Sequence, residues 1–311
     1  MFDVVTGGAG FIGSHLVDTL VAQGNEVLAI DSLCAGHRET IARHIDDCRV
    51  RFVQMDLLGD GWQEHLEGAD RLFHLAADPD VRQSAVNPDP AMQNNIMATY
   101  RVLEAMRLHN IPELVFTSTS TVYGDATIIP TPENYTPLEP ISVYGASKLA
   151  CEALISSYCH SFGMKAWIFR FANIIGARSG HGVITDFIHK LDENPEELEI
   201  LGNGKQTKSY LEVHECIAAM LYATGRARGT VNIFNIGSED WIDVKSIAEI
   251  VTEEMHLPRT KFRFTGGERG WVGDVPKMQL SVEKIKGLRW KPQTGSRESV
   301  RIAVKDLLNK R

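Results

Sequence analysis

The segment DVVTGGAGFIG at positions 3–13 constrains this chain more than any other. Its glycines satisfy two spacings at once, Gly8-x-Gly10-x-x-Gly13 and Gly7-x-x-Gly10-x-x-Gly13. A short apolar run precedes them and a segment of helical period follows. Glycine is needed in such a turn where φ is positive, where backbone approaches a ligand, and where helix packs close on strand. The helix starting at Phe11 then offers unpaired N–H groups and its positive dipole end, which suits a pyrophosphate. Asp31 ends the next apolar run about 20 residues on, where a carboxylate accepts from ribose hydroxyls and repels a 2′-phosphate. Strand, glycine turn, helix and Asp31 together predict a dinucleotide-binding unit that favours NAD over NADP. Arg38 is a nearby cation that could hold a 2′-phosphate, and a solvated loop side chain is its plainer reading.

The fold class follows from alternation. Runs rich in β-branched residues recur at 4–6, 26–31, 50–56, 71–76, 114–119, 166–171 and 231–236. Most are continuous rather than alternating, as in strands buried on both faces of a parallel sheet. Helical periods lie between them at 11–23, 90–108 and 144–161. This pattern predicts an α/β fold, a doubly wound parallel (Rossmann) sheet with ligands at the carboxyl ends of its strands. The second half has a glycine-bearing basic loop at 176–182 and a polar, turn-rich stretch at 194–204. The acidic run 193–199 reads as a solvated face. Helical patterns follow at 212–223, 244–255 and 297–309. At 311 residues the chain exceeds what one core sustains. We expect a dinucleotide-binding domain over 1–173 with a returning segment near 212–238. A smaller α/β substrate lobe is expected from 174–211 and 239–311.

The net charge of −8 argues against nucleic acid or an anionic membrane surface as partner, since both select a basic face. No apolar stretch is long enough to span a bilayer, and Asp3 and the glycines after it interrupt any leader-like run. Cys34, Cys48, Cys151, Cys159 and Cys216 are scattered, with no CxxC pair. Free thiols in a reducing cytoplasm are therefore expected, rather than disulfides or a zinc site. His74, His189 and His214 lack metal-ligand spacing, so no metal is expected, and Cys151 reads as a buried, inert thiol.

Tyr144 and Lys148, in SVYGASK at 142–148, stand one helical turn apart, so their side chains share a face. A free phenol, with a pKa of about 10, is a poor base at neutral pH. A neighbouring ammonium and the positive nicotinamide ring stabilise its phenolate. Upstream, FTSTSTVYG at 116–124 runs from a strand into a hydroxyl-rich stretch. One of Ser118, Thr119 and Ser120 could bind a substrate's reacting oxygen; turn closure or helix capping is the structural alternative.

The motifs TGGAGFIG, STSTVYG and YGASK are joined by DL at 56–57, HLAA at 74–77, FRFAN at 169–173 and GNGKQ at 202–206. Together they resemble the NAD-dependent epimerase/dehydratase family of extended short-chain dehydrogenases over nearly the whole chain, and within it the UDP-glucose (UDP-galactose) 4-epimerases. The resemblance implies NAD bound by Gly7, Gly10, Phe11, Ile12, Gly13, Asp31, Ser32 and Gly36. Asp56 and Leu57 would flank the adenine. Leu75, Ala76, Ala77 and Ala172 would line the cofactor, and Asn95 would lie near its nicotinamide half. Tyr144 is implied as the base, Lys148 as its electrostatic partner and Thr119 as the hydroxyl that touches substrate.

For a UDP-sugar substrate the resemblance implies Asn173 at the diphosphate, Arg269 in ERGWVGD as diphosphate clamp and Asp274 at the nucleotide ribose. Met278 lies near the position that gates sugar size, and a flexible methionine can re-pack around a larger sugar. The family usually has arginine and aspartate where this chain has Lys208 and Ser209. Lysine still brings charge, without the planar two-pronged contact of a guanidinium. Ser120 and Thr121 stand where 4,6-dehydratases carry carboxylates, which favours epimerisation over water elimination. The implied reaction is transient oxidation at C4, interconverting UDP-glucose and UDP-galactose. Helical segments 90–108 and 144–161 are implied to make a two-fold homodimer, with packing on the sheet as the alternative. A UDP-N-acetylhexosamine 4-epimerase and a nucleotide-sugar reductase, dehydrogenase or decarboxylase stay open. A dinucleotide sensor could dispense with Tyr144 and Lys148, which weigh against it.

Overall fold

Seven strands make one sheet: β1 (Phe2–Thr6), β2 (Glu26–Asp31), β3 (Val50–Gln54), β4 (Arg71–His74), β5 (Glu113–Thr119), β6 (Lys165–Phe171) and β7 (Val231–Ile236). The computed structural model describes residues 1–271 and 273–309. Val272, within ERGWVGD, and Lys310 and Arg311, at the end of the expected lobe, lie outside the described residues. Each strand falls on one of the apolar runs, and their order across the sheet is β7-β6-β5-β4-β1-β2-β3. The pairs β1–β2, β2–β3, β1–β4 and β4–β5 are parallel. This is the doubly wound parallel α/β sheet that the alternation predicts. The chain leaves β1 in one direction for β2 and β3, then returns to its other side for β4. The carboxyl ends of β1 and β4 thus form the switch point where such sheets take ligands.

Asp3 breaks the apolar pattern of β1 yet is fully buried. It stands opposite Arg71 in the β1–β4 register, and the two side chains pair at 2.9 Å. Burial pushes the Asp3 carboxyl up, and the guanidinium pulls against that shift.

The chain packs as two compact units. The first comprises Met1–Val122, Glu139–Arg170 and Leu221–Phe234; the second comprises Tyr123–Leu138, Phe171–Met220 and Asn235–Arg311. In the first, helices α1 (Phe11–Ala22), α2 (Ala98–Leu108) and α3 (Val143–Phe162) accompany the strands. Val102 and Met106 of α2 and Ile155 of α3 share one core with Val4, Leu72 and Phe116. The expected helix over 90–108 is not one α-helix. A turn at Asp89–Ala91 widens into a π-helical segment, Met92–Met97, before α2 begins. Such a widened turn often marks a functional site, and here Asn95 lies within it, buried.

The second unit has its own core, built from Phe187, Leu198, Ile200, Ile247 and Val304 among others. It corrects the reading of 194–204 as a turn-rich stretch without a strand, while Glu193, Glu196 and Glu197 of the acidic run 193–199 do face solvent. Helix Val183–Glu193 runs into strand Glu197–Ile200, in which Leu198 and Ile200 are fully buried. Glu197 and Glu199 alternate with them and hold Arg263 of the neighbouring strand. Charge on one strand face masked a period of two. Among the described residues no helix is long and apolar enough to cross a membrane. No group of His, Cys, Asp and Glu among them is arranged to hold a metal.

Candidate active site

The glycine turn joins β1 to α1 as its spacing predicts. Gly7 takes φ +70°, and a Cβ there would lie 2.7 Å from the Ala76 backbone nitrogen. At Gly13 a Cβ would lie 2.0 Å from the Gly7 carbonyl oxygen, so nothing larger than hydrogen fits. Gly10 is the N-cap of α1 and brings no side chain to it, and no acidic residue sits in the first turn. The leading N–H groups at Phe11, Ile12 and Gly13 are thereby kept for an anion.

The other cofactor candidates of the first unit gather around this turn. The Asp31 carboxylate accepts the Ala9 N–H at 3.0 Å and the Leu33 N–H at 2.8 Å. The stretch holding Ser32 and Gly36 returns through the His37 N–H to the Ala9 carbonyl at 3.0 Å. Met55 donates to the Asp31 carbonyl at 3.1 Å, bringing Asp56 and Leu57 alongside, and Leu75 donates to the Thr6 carbonyl at 3.1 Å. Arg38 is exposed, its guanidinium 5.9 Å from the Phe52 ring centre. A cradle where no side chain fits, ahead of an uncapped helix and beside a carboxylate, fits a dinucleotide. Ala172 belongs to the second unit, where it is buried.

Tyr144 and Lys148 occupy the start of α3, whose N-cap Ser142 accepts the Gly145 N–H at 3.0 Å. Lys148 is buried, its ammonium 4.6 Å from the Phe116 ring centre. Thr119, the last residue of β5, accepts the Thr121 N–H at 3.2 Å and the Thr121 hydroxyl at 3.1 Å, and its hydroxyl lies close enough to the Tyr144 phenol to favour its ionisation. Ser118 commits its hydroxyl to Glu152, and Ser120 opens the 3-10 turn that follows β5. Of the three hydroxyls, Thr119 is the one that acts on the phenol.

Tyr144 is part-exposed, yet its phenol oxygen lies deep, and burial pushes it up to about 12. Thr119 pulls it down, while Asp78 and Cys151 add to the rise. Burial brings Lys148 down to about 8, against the pull of Cys151 and Glu152. Burial, with Lys148 adding to it, brings His74 down to about 3; this neutral ring lies 2.7 Å from Thr6 Oγ1 and 3.1 Å from Thr99 Oγ1.

Several residues around this group escaped the sequence reading. Glu152, one turn beyond Lys148, forms a two-pronged buried pair with Arg170 at 3.0 and 2.6 Å. Its spacing from Lys148 was a usable signal. Asn95 Nδ2 donates to Ser147 Oγ at 2.8 Å, and Ser147 in turn donates to the Tyr144 carbonyl at 2.8 Å. Asn95 Oδ1 accepts the Asp78 N–H at 2.8 Å. No local pattern announces that Asp78 lies by Tyr144.

The second unit holds the remaining candidates. Asn173 donates through its amide to the Ser209 carbonyl at 3.0 Å. Lys208 pairs with Asp274 at 2.6 Å and lies 5.0 Å from the Trp271 ring centre. Arg269 pairs with Asp125 at 2.7 Å and also donates to the Asp274 carbonyl. Both cations thus carry carboxylate partners, and Asp125, just past VYG, was not foreseen. Ser209, where the resemblance leads one to expect aspartate, joins a buried hydroxyl chain with Ser238 and Ser296, each step 2.8 Å.

The family model for the NAD dependent epimerase/dehydratase family matches residues 4–237. A UDP-glucose 4-epimerase of Corynebacterium glutamicum is 30% identical over 309 residues, covering 93% of this chain and 90% of its own. A crystal structure of a UDP-galactose 4-epimerase is 41% identical, with a TM-score of 0.90 over 100% of this chain and 99% of the other. A UDP-glucuronic acid 4-epimerase from Bacillus cereus, solved with UDP-glucuronic acid and NAD, is 26% identical, with a TM-score of 0.91 over 100% of both chains. The chain belongs to the NAD-dependent epimerase/dehydratase family, and NAD is its cofactor.

Proposed function

We propose that this enzyme is a nucleotide-sugar 4-epimerase that interconverts UDP-glucose and UDP-galactose. The observation that carries the reading is Tyr144 one turn before a buried Lys148 at the start of α3, with Thr119 close enough to favour the phenolate, on a strand end whose next residues, Ser120 and Thr121, lack a carboxylate. A base and a hydroxyl suffice for reversible oxidation of a carbinol, whereas eliminating water needs a further acid and base. Relatives that act on UDP-hexoses by name support the same choice.

In this reading Tyr144 takes the proton from the sugar's 4-hydroxyl while Thr119 hydrogen-bonds the same oxygen. Lys148 stabilises the phenolate. NAD, when bound, would supply the acceptor and donor of the hydride exchanged with the sugar's C4. Tyr144 then returns the proton to the inverted alcohol, so no net oxidation occurs. Gly7 to Gly13 would hold the NAD pyrophosphate and Asp31 its adenosine ribose. Lys208 and Arg269 anchor the substrate diphosphate by exchanging Asp274 and Asp125 for phosphate oxygens, with Asn173 as a neutral donor. Asp274, once released, serves the nucleotide ribose.

Purified protein given UDP-galactose without added NAD is expected to form UDP-glucose, because a cofactor restored in each cycle has no need to leave. Conversion only after NAD is added would mean looser retention. Absence of conversion of any UDP-hexose or UDP-N-acetylhexosamine even then sinks the reading, and a reductase or dehydrogenase, detected as net absorbance change at 340 nm, takes its place. A homodimer is part of the same proposal. Met97, Tyr100, Leu108 and Phe162 are exposed apolar side chains on or beside α2 and α3, a stripe that a second copy would bury. Light scattering should give the mass of two chains, and Tyr100→Glu with Phe162→Glu should halve it. A monomeric wild type would refute this part alone.

A further inference from the structure

We infer that Asp78 makes this a site for neutral sugars: its carboxylate, on a residue tied through Asn95 and Ser147 to the helical turn that carries Tyr144, disfavours nucleotide sugars that carry a carboxylate at C6. The inference deepens the epimerase reading and rests on it. Asp78 follows the end of β4 by four residues. One amide side chain grips its backbone on both sides: Asn95 Oδ1 accepts the Asp78 N–H at 2.8 Å, and Asn95 Nδ2 donates to the Asp78 carbonyl at 3.3 Å. The same Nδ2 reaches Ser147, which donates to the carbonyl of Tyr144. Asp78 is therefore tied to the helical turn that carries the phenol. Its side chain is set in turn, with Oδ1 accepting the Asp80 N–H at 3.1 Å. The carboxylate is near enough to oppose ionisation of the phenol.

The chemistry of the sugar does the rest. C6 is bonded to C5, the neighbour of C4, so a 4-hydroxyl placed at Tyr144 brings the C6 substituent close to the same charges. A hydroxymethyl group can donate a hydrogen bond to a carboxylate; a uronate can only repel it. The opposing cation, Lys148, is 3% exposed and lies against the Phe116 ring, whereas Asp78 is part-exposed. On the 78–82 stretch, Asp78 and Asp80 outnumber Arg82.

The test compares UDP-glucuronate with UDP-galactose on the full-length NAD-loaded enzyme, as wild type, Asp78→Asn and Asp78→Glu. Both substrates carry the same UDP, so their ratio isolates the C6 charge. The kcat/KM ratio, and the ratio of calorimetric affinities for UDP-glucuronate and UDP-glucose, should move toward the uronate about tenfold or more in Asp78→Asn. Asp78→Glu should keep the wild-type ratio. In the wild type, raising ionic strength should narrow the discrimination, a readout that needs no variant to fold. A ratio unmoved by Asp78→Asn, or a wild type that prefers the uronate, overturns the inference. If no hexose is turned over but the affinity ratio still shifts, the epimerase reading fails while the role of Asp78 stands. Turnover with an unmoved ratio means the reverse: the epimerase reading stands and the role of Asp78 fails.

Discussion

Tyr144→Phe is expected to lower turnover of UDP-galactose by about 10²–10⁴-fold, the range ascribed to a positioned general acid–base. The variant should still carry NAD, because the glycine turn and Asp31 are untouched. The phenol is a costly base on its own: burial pushes it up to about 12, and Thr119 only partly offsets this. Ionisation at neutral pH therefore depends on positive charge nearby. Lys148, brought down by burial to about 8, supplies that charge below this pH and loses it above. The wild-type rate should accordingly fall as pH rises through 8, and Lys148→Met should remove that alkaline limb while lowering the plateau. Retention of more than a tenth of the wild-type rate by Tyr144→Phe would falsify the assignment of Tyr144 as base.

The second large effect is on stability. Arg170→Met leaves Glu152 buried without its guanidinium, and removing one partner of a buried ion pair costs about 3–5 kcal/mol. For a chain of this size the midpoint of thermal unfolding should drop by roughly 10 °C. Adding Glu152→Leu should recover most of the loss, since a buried pair replaced whole by apolar groups is close to neutral. Ser118 would still miss its acceptor, so recovery should be incomplete. Equal stability of Arg170→Met and wild type by calorimetry would show that the pair is not what holds β6 to α3.

The seven strands of the main sheet were legible because burial on both faces writes a continuous apolar run into the chain. The strand Glu197–Ile200 was not, because Glu197 and Glu199 gave it the look of a solvated acidic run while Leu198 and Ile200 faced the core. The π-helical segment Met92–Met97 was equally hidden: its composition is that of any helix, and the widened turn is stabilised by what Asn95 reaches. Asp3 shows the limit from the other side. A charge in a central strand reads as an interruption until Arg71, 68 positions away, is seen opposite it.

By itself the sequence determined what depends on covalent spacing. Glycines at fixed intervals after a strand can serve only a tight turn, and a tyrosine and a lysine four apart on a helix must share a face. The tertiary structure alone decided which groups from distant positions meet. It committed Ser118 to Glu152 and left Thr119 within reach of Tyr144, tied Asp78 to the same helical turn through Asn95 and Ser147, and paired Lys208 with Asp274 and Arg269 with Asp125. These partners lie 66 and 144 positions apart for Lys208 and Arg269, and no local period encodes them. Which charge neutralises which is decided by packing, because only the folded chain fixes distance and access to water, and those two set the strength of every such contact.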